Sequence, residues 1–247
     1  MSDGAPVASW QRAEVVGAFL SERQTLMPFL DVQEDIFRRL LVRHPHEVSR
    51  FLDVGAGDGA VSELVLALEP HAEAVLVDFS EPMLERAEHR LAGTDARWLA
   101  VRGDLADPAW CSGLPAGSYG AAVSAFAIHH LTSARKRSLF EELYQLLEPG
   151  AMFVNMDYVL IDGPLHGLWD EQMLANAVAA EAERGGHRSE AEIERDLFDD
   201  GDEDRPDSAE DQVGWLRAAG FEQVELHFKW AEAAVFAAVK PEQLSHV

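Results

Sequence analysis

Several kinds of residue are scarce in this chain, and each shortage excludes a class of protein. The single cysteine, Cys111, excludes an internal disulfide and any metal site built from cysteines. No stretch reaches the roughly 18 uncharged apolar residues of a membrane span, so we expect no membrane association. Residues 1–6 contain neither a basic segment nor a long apolar one, as a secretion signal would. A cytoplasmic location is therefore expected.

Basic residues are also scarce, because 20 Lys and Arg stand against 44 Asp and Glu, giving a formal net charge of −24. Nucleic-acid binding depends on Lys and Arg side chains that displace counterions from phosphates, so no nucleic-acid partner is expected. The composition suits a small neutral or cationic ligand better, and most of the acidity is attributed to solubility. A monomer and a homodimer are both compatible with it.

What the chain does have is a strand, a glycine turn and a helix in direct succession over residues 50–68. The strand contains Asp53, and Gly55, Gly57 and Gly59 follow at alternate positions. Glycine adopts positive φ easily and lets a ligand approach the backbone. The helix that follows directs its free N–H groups toward the same place. This order is half of a nucleotide-binding unit.

Strands and helices continue to alternate as far as residue 158, which predicts βαβ units and a parallel sheet. Two alternating runs, residues 224–230 and 233–239 with Glu232 near the turn, predict an antiparallel hairpin. We predict a single domain with four parts: a helical cap (1–47), a cofactor-binding core (48–158), a helical insertion or lid with an acidic loop (159–211), and a last helix with the hairpin (212–247). Within the cap, Asp31 is the expected N-cap of the second helix.

The spacing of the glycines separates two kinds of nucleotide ligand. Dinucleotide folds use Gly-x-Gly-x-x-Gly, because their pyrophosphate lies on the helix N-terminus. Here the spacing is Gly-x-Gly-x-Gly, preceded by Asp53. A carboxylate in the turn would repel a pyrophosphate but suits an ammonium group. The predicted ligand is therefore a nucleoside with a cationic tail, and an NAD-dependent oxidoreductase is the less favoured alternative.

Side chains at the ends of the second and third strands suit an adenosine. Asp78 ends the second strand 19 residues after Gly59, where an acid accepts hydrogen bonds from both ribose hydroxyls. Phe79 and Met83 lie beside it and can flank the adenine ring. After the third strand, Asp104 can accept a hydrogen bond from the adenine amine.

Backbone at Leu105 completes the predicted adenine contacts. Ala125 ends the fourth strand, at the carboxyl edge of the sheet, where open α/β sheets bind their ligands. These positions are spread along the sequence, yet the carboxyl ends of parallel strands meet at one edge. We therefore expect them to form one site.

With these residues, the chain resembles the class I S-adenosylmethionine-dependent methyltransferases, and most closely their small-molecule type. The resemblance is carried by segments that follow the family order: 52–59, 77–83, 103–105, 127–131, 147–150 and 214–221. It implies a Rossmann-like doubly wound sheet of seven strands in the order 3-2-1-4-5-7-6, with strand 7 antiparallel. It also implies that backbone at Gly55, Ala56 and Gly57 holds the methionine part of the cofactor, and it includes Gly103 in the cofactor site.

Candidates for acid–base chemistry lie just after the fourth strand, at His129 and His130. An imidazole titrates near neutral pH, so either side chain can take a proton from an acceptor. Each can equally serve to pack or to bond the backbone, and His130 is the better candidate for the base. Asp157 and Tyr158, at the end of the fifth strand, are rival pocket residues.

The sequence thus predicts an enzyme that moves a methyl group from S-adenosylmethionine to a small-molecule acceptor and leaves S-adenosylhomocysteine. The atom methylated is left open among oxygen, nitrogen and carbon. The alternative is a protein that only binds the cofactor, or that uses it without methyl transfer, as carboxy-S-adenosylmethionine synthase does on this fold. No metal is expected, because residues 199–207 lack the order of a calcium loop and His44 and His46 are interpreted as surface histidines.

Overall fold

The computed structural model of the chain describes residue 23 and residues 25–198 and 204–242. Residues 1–22 and 24 of the predicted cap lie outside the described residues, as do residues 199–203 of the predicted acidic loop and the last five residues. The division into cap, core, insertion and hairpin as parts of one domain stays a prediction.

The described residues form seven α-helices and seven strands. The helices are α1 (Leu30–Arg43), α2 (Ala60–Leu68), α3 (Glu81–Leu91), α4 (Ser133–Leu146), α5 (Leu168–Glu183), α6 (Glu190–Phe198) and α7 (Ala209–Ala218). The strands are β1 (Arg50–Val54), β2 (Glu73–Asp78), β3 (Arg97–Arg102), β4 (Tyr119–Ala125), β5 (Leu147–Tyr158), β6 (Glu222–Trp230) and β7 (Ala233–Val239). Short 3₁₀ turns occur at Trp110–Gly113 and Ile128–His130.

All seven strands belong to one sheet in the order β3-β2-β1-β4-β5-β7-β6. Strands β1 to β5 pair in parallel, and β7 is antiparallel to both β5 and β6. The predicted order and hairpin are confirmed. The register of β6 shifts twice along β7, and such bulges increase the local twist of an edge strand.

Apolar side chains cover both faces of this sheet. Successive strand residues point to opposite faces, so Phe51 and Leu52 enter different cores. On the face of Phe51, the core includes α1, α2 and α3 through Phe37, Val65 and Leu91. On the face of Leu52, it includes α4 and α7. With helices on both faces, the carboxyl edge of the parallel strands is left as the place where a ligand can reach the backbone.

The start of α1 differs from the prediction. Leu30 is the first helical residue, and the preceding Phe29 is in the left-handed region with φ of 54°. Asp31 lies inside the first turn, so its prediction as the N-cap is wrong. The ring of Phe29 packs edge-on against Trp230, with centroids 5.0 Å apart. At its start, this helix has a packing contact with the hairpin and no hydrogen bond from a capping side chain.

The segment between β5 and α7 has its first and last residues next to each other. The N–H of Leu160 donates to the carbonyl of Asp207 at 3.1 Å, and Leu160 pairs with Ser208 in a parallel bridge. Lys136, fully buried on α4, contacts the carbonyl of Arg205 and lies 2.7 Å from the carboxylate of Asp207. Helices α5 and α6 lie between these fixed points and pack on Leu26.

Glu232, at the tip of the hairpin, holds the beginning of α5. Its carboxylate is fully buried and accepts hydrogen bonds from the N–H groups of Gly167 and Trp169, at 2.5 and 3.0 Å. The first N–H groups of a helix have no partners within the helix, and a carboxylate also suits the positive end of the helix dipole. Glu232 therefore connects the sheet to the insertion.

We expect Glu232→Ala to lower the free energy of unfolding by about 3 kcal/mol, because two charge-assisted hydrogen bonds in a buried place are lost. Glu232→Gln keeps one acceptor oxygen and should cost about half as much. Urea unfolding measures both. Glu225→Ala, on the exposed side of β6, is the control and should change the free energy by less than about 0.5 kcal/mol. Equal stability of Glu232→Ala and the unmodified protein would contradict this role.

Candidate cofactor and acceptor site

Hydrogen bonds to β2 fix the glycine turn between β1 and α2. The N–H groups of Gly55 and Ala56 both donate to the carbonyl of Val77, at 2.8 and 2.9 Å. Gly55, Gly57 and Gly59 have φ of 70°, 52° and 76°, a region that residues with a side chain avoid. The positive φ predicted for these glycines is thus present.

Two of the glycines have different surroundings. A Cβ on Gly55 would lie 2.2 Å from the Cβ of Ala127, so Gly55 is needed for the close approach of the turn to the segment after β4. A Cβ on Gly57 would meet only the Sδ of Met83, at 3.9 Å. Gly57 lines the cavity described below. The space beside its backbone is therefore open to a ligand.

Asp78 connects the turn to the start of α3. Its two carboxylate oxygens accept hydrogen bonds from the N–H groups of Gly57 and Ser80, both at 2.8 Å. Ser80 is also the N-cap of α3, as its side chain accepts a hydrogen bond from the N–H of Met83. Burial raises the pKa of Asp78, and the backbone N–H groups of Ser80 and Gly57 oppose that rise. The carboxylate is held rigidly at the end of β2.

Asp53 presents a buried acceptor atom to the same site. Its Oδ2 accepts a hydrogen bond from the hydroxyl of Ser62 at 2.7 Å, whereas its Oδ1 has no hydrogen-bond partner among the described residues. Burial raises the pKa of Asp53 to about 7; the hydrogen bond from Ser62 opposes this rise and the negative charge of Asp78 adds to it. A buried carboxylate oxygen without a donor fits a cationic ligand group.

A cavity of about 1150 Å³ opens at the carboxyl edge of the sheet, beside the glycine turn. Most of the residues predicted for the cofactor and for proton transfer line it: Asp53, Gly55, Ala56, Gly57, Asp78, Phe79, Met83, Asp104, Leu105, Ala125, His129 and His130. The structure therefore brings these dispersed positions together. Their individual roles stay predictions.

Gly103 is the predicted site residue that does not line the cavity. A Cβ there would lie 2.8 Å from the carbonyl oxygen of Trp110 and 2.9 Å from Cγ1 of Val77. Gly103 thus permits close packing behind β3. Its neighbour Asp104 accepts a hydrogen bond from the N–H of Ala106 at 2.8 Å, which fixes the turn at the adenine end of the predicted site.

Beyond the glycine turn, the cavity is lined by aromatic and apolar residues and also by charged ones, among them Asp170 and Arg205. Phe126, Tyr158 and Trp169 surround it, with ring centroids 6.2 Å apart for Phe126–Trp169 and 6.3 Å apart for Tyr158–Trp169. Phe126 has φ of 51°, which is strained for a residue with a side chain and is found most often at functional sites. Burial raises the pKa of Tyr158, so its hydroxyl stays neutral and can donate a hydrogen bond.

His129 and His130 lie where the two halves of the cavity meet, with ring centroids 4.0 Å apart. Nδ1 of the buried His129 donates to Oδ1 of Asp157 at 2.6 Å. Burial alone would lower the pKa of His129, but Asp157 and Asp204 overcome this effect and raise it to about 9. At neutral pH His129 is then a cation and a poor base. Proton abstraction by either histidine stays a prediction.

Two further carboxylates near the cavity were missed by reasoning from the sequence. Asp204 lies 3.1 Å from Nδ1 of His130 and 3.5 Å from Nε2 of His129. Asp58, inside the glycine turn, is buried and pairs with Arg90 and, at 3.0 Å, with Arg23. These contacts join residues far apart in the sequence. For Asp204, the sequence offered one indication of a special position, namely that it belongs to the acidic stretch 199–207.

Comparison with known proteins agrees with this geometry. Residues 51–150 match a family model described as a methyltransferase domain. A demethylmenaquinone methyltransferase of Clavibacter sepedonicus is 33% identical over 179 residues, or 71% of this chain and 66% of that protein. A carboxy-S-adenosyl-L-methionine synthase of Wolinella succinogenes is 25% identical over 82% of this chain and 80% of its own.

Among solved structures, the CurJ carbon methyltransferase superposes with a TM-score of 0.67 at 17% identity, covering 96% of this chain and 62% of that one. This likeness shows the fold. The chain aligns with between 32% and 66% of the length of three curated methyltransferases that it matches.

The sheet order, the glycine turn and the acids at the strand ends define a nucleoside-binding protein of the Rossmann-like class. The chain belongs to the class I S-adenosylmethionine-dependent methyltransferases. The cofactor of this family is S-adenosylmethionine, which is therefore selected over the dinucleotide alternative. Within the residues that the structure covers, no helix has the length and apolar character required to cross a membrane.

Proposed function

We propose that this protein transfers the methyl group of S-adenosylmethionine to a small, largely apolar acceptor. The observation that carries the proposal is the continuity of one cavity between the glycine turn and the aromatic residues. Pockets for one small ligand measure roughly 300–1,000 Å³, so about 1150 Å³ has room for a cofactor and an acceptor together.

The residues present fit the cofactor. Oδ1 of Asp53 is buried and accepts no hydrogen bond from the described residues, which suits the ammonium of the methionine part, and the open side of Gly57 allows that part to approach the backbone. Asp78 would bind the ribose, with Phe79 and Met83 beside the adenine. When bound, S-adenosylmethionine supplies a methyl group already activated by a sulfonium sulfur. The protein's task is then mainly alignment and exclusion of water.

The acceptor side suits a flat apolar molecule. Phe126, Tyr158 and Trp169 offer ring faces and edges, and Met156 and Met173 add adaptable apolar surface. The neutral hydroxyl of Tyr158 can donate a hydrogen bond that orients an acceptor oxygen. The relative named demethylmenaquinone methyltransferase supports an acceptor of aromatic character.

A second candidate is the use of S-adenosylmethionine for carboxyl transfer rather than methyl transfer. Four relatives are named carboxy-S-adenosyl-L-methionine synthase, and they align with 76% to 92% of this chain. A carboxylate-bearing co-substrate would need a cationic partner. Four arginines line the cavity, and three of them, Arg23, Arg188 and Arg195, each pair with a carboxylate of the chain already, which favours methyl transfer.

Calorimetry and product analysis test the two candidates together. We expect S-adenosylmethionine and S-adenosylhomocysteine each to bind once per chain, and labelled methyl groups to appear in a small molecule of a cell extract. A carboxylated sulfonium in the mass spectrum of the cofactor would support the second candidate instead. If neither cofactor form binds, or if NADH binds tightly in their place, the proposed function is wrong.

Cofactor affinity is expected to fall below neutral pH because of Asp53. Above pH 7 its carboxylate is charged and attracts the ammonium group; below pH 7 it takes up a proton and the attraction is lost. Well below pH 7, the affinity for S-adenosylhomocysteine should fall by about tenfold for each further unit of decrease in pH. Calorimetry between pH 5.5 and 8.5 measures this loss. Asp53→Asn cannot titrate, so its affinity should be weaker at pH 8 and nearly independent of pH; a parallel slope for both proteins would contradict the assignment.

A further inference from the structure

His129, His130 and Asp204 form a group of three side chains that line the cavity. Oδ1 of Asp204 lies 3.5 Å from Nε2 of His129 and 3.1 Å from Nδ1 of His130. One ligand atom from each residue lies within 4.8 Å of the others. We propose that these three side chains bind one divalent transition-metal ion on the acceptor side of the cavity.

The separations between the three side chains suit a common metal ion. Imidazole nitrogens and carboxylate oxygens lie about 2.0–2.2 Å from a bound Zn²⁺, so two ligands at tetrahedral or right angles are about 2.8–3.6 Å apart. The separations of 3.1 and 3.5 Å to Oδ1 of Asp204 lie within this range. A small rotation of the half-exposed Asp204 would admit the ion.

A second observation, independent of that cluster, comes from the other side of His129. Histidines that bind metals usually donate their remaining ring N–H to a carboxylate or carbonyl, which fixes the tautomer and the ring plane. Nδ1 of His129 does so to the fully buried Asp157 at 2.6 Å. Asp157 is itself held by the N–H of Tyr158 at 2.9 Å and the amide of Asn155 at 3.4 Å. Nε2 of His129 is thereby aimed at Asp204.

The ligand set indicates which ions fit. Two imidazoles and one carboxylate suit Zn²⁺, Fe²⁺, Co²⁺ or Ni²⁺, whereas Mg²⁺ and Ca²⁺ prefer sites made only of oxygen. Three protein ligands leave coordination positions open. All three residues line the cavity, so an oxygen of the acceptor can occupy such a position. That last role rests on the proposed function; the ion site itself does not.

Titration with Co²⁺ tests the site without cofactor or acceptor, because Co²⁺ bound to nitrogen and oxygen ligands absorbs visible light. The full chain without an affinity tag is used. We expect one Co²⁺ per chain and displacement by Zn²⁺ but not by excess Mg²⁺. Asp204→Asn and His129→Ala should weaken Co²⁺ binding by at least about 100-fold, and Asp157→Asn by about 10–100-fold.

His46→Ala is the matched control, since His46 also lies near a second histidine and a carboxylate, Glu148, but outside this group. It should leave Co²⁺ binding unchanged. No visible spectrum, equal binding by the Asp204 variant, or competition by Mg²⁺ would overturn the site. Circular dichroism verifies folding, and Asp204→Asn alters only a half-exposed side chain. Binding of S-adenosylhomocysteine is measured in parallel, so that failure of the cofactor site and failure of the metal site are told apart.

Discussion

Gly55→Ala is expected to lower the free energy of unfolding by about 3 kcal/mol and to abolish cofactor binding. Two costs combine. A side chain at φ of 70° costs about 1–2 kcal/mol, and overpacking adds about 1–3 kcal/mol. The overpacking arises because the new Cβ would lie 2.2 Å from the Cβ of Ala127. A Cβ is fixed to the backbone, so neither atom can turn away. Urea unfolding with calorimetry of S-adenosylhomocysteine measures both effects.

Two other glycines serve as controls with different expected results. Gly57→Ala has φ of 52° but open space around the new Cβ, so it should cost only about 1–2 kcal/mol of stability while still blocking the cofactor. Gly214→Ala lies within α7 with nothing near the new Cβ, and it should stabilise the protein by about 0.5–1 kcal/mol. If Gly55→Ala were as stable as Gly214→Ala, the close approach to Ala127 would be wrong.

Asp78→Ala is expected to weaken binding of S-adenosylhomocysteine by about 100-fold. Hydrogen bonds to a charged group contribute about 1.5–3 kcal/mol each, and loss of the ribose contacts alone reaches about 3 kcal/mol. The change also frees the N–H groups of Gly57 and Ser80, so the turn loses a fixed point. Isothermal calorimetry measures the affinity, and thermal unfolding shows that the variant is folded.

Asp78→Asn and Glu81→Gln complete this experiment. The asparagine keeps the shape and one acceptor oxygen, so a smaller loss, of about tenfold, is expected. Glu81 is an exposed residue at the start of α3, and its carboxylate lies 3.8 Å from the guanidinium of Arg102. Its neutralisation should leave the affinity unchanged. An Asp78→Ala variant that binds S-adenosylhomocysteine normally would remove Asp78 from the cofactor site.

The cofactor side was predictable from the sequence because its signals are local. The apolar run before Gly55, the alternate glycines and the acid that ends β2 lie within about thirty residues of one another. Strand β7 was placed at Ala233–Val239 by its alternation alone, which agrees with the structure. The order of the strands came from the family resemblance, since alternation does not state which strands are neighbours.

The acceptor side was less predictable because its contacts are distant in sequence. His129 lies in the 3₁₀ turn after β4, Asp157 is on β5, and Asp204 reaches both histidines from beyond two helices. Glu232 was placed at the hairpin turn, but nothing nearby in the sequence shows that it holds α5. Phe29 is the residue before α1, and its ring packs on Trp230. Local capping preferences favoured Asp31 and could not show this distant contact.

The neighbouring ends of the insertion have a consequence for how this protein can change over time. Leu160, just after β5, and Ser208, just before α7, pair with each other, so the insertion begins and ends at one place. Segments whose ends lie side by side can be exchanged with little disturbance to the rest of a domain. Recombination or engineering between Leu160 and Ser208 would replace helices α5 and α6, together with Trp169, and leave the glycine turn and strands β1 to β5 in place. Under the proposed function, such an exchange would alter the acceptor pocket and keep the residues that bind the cofactor.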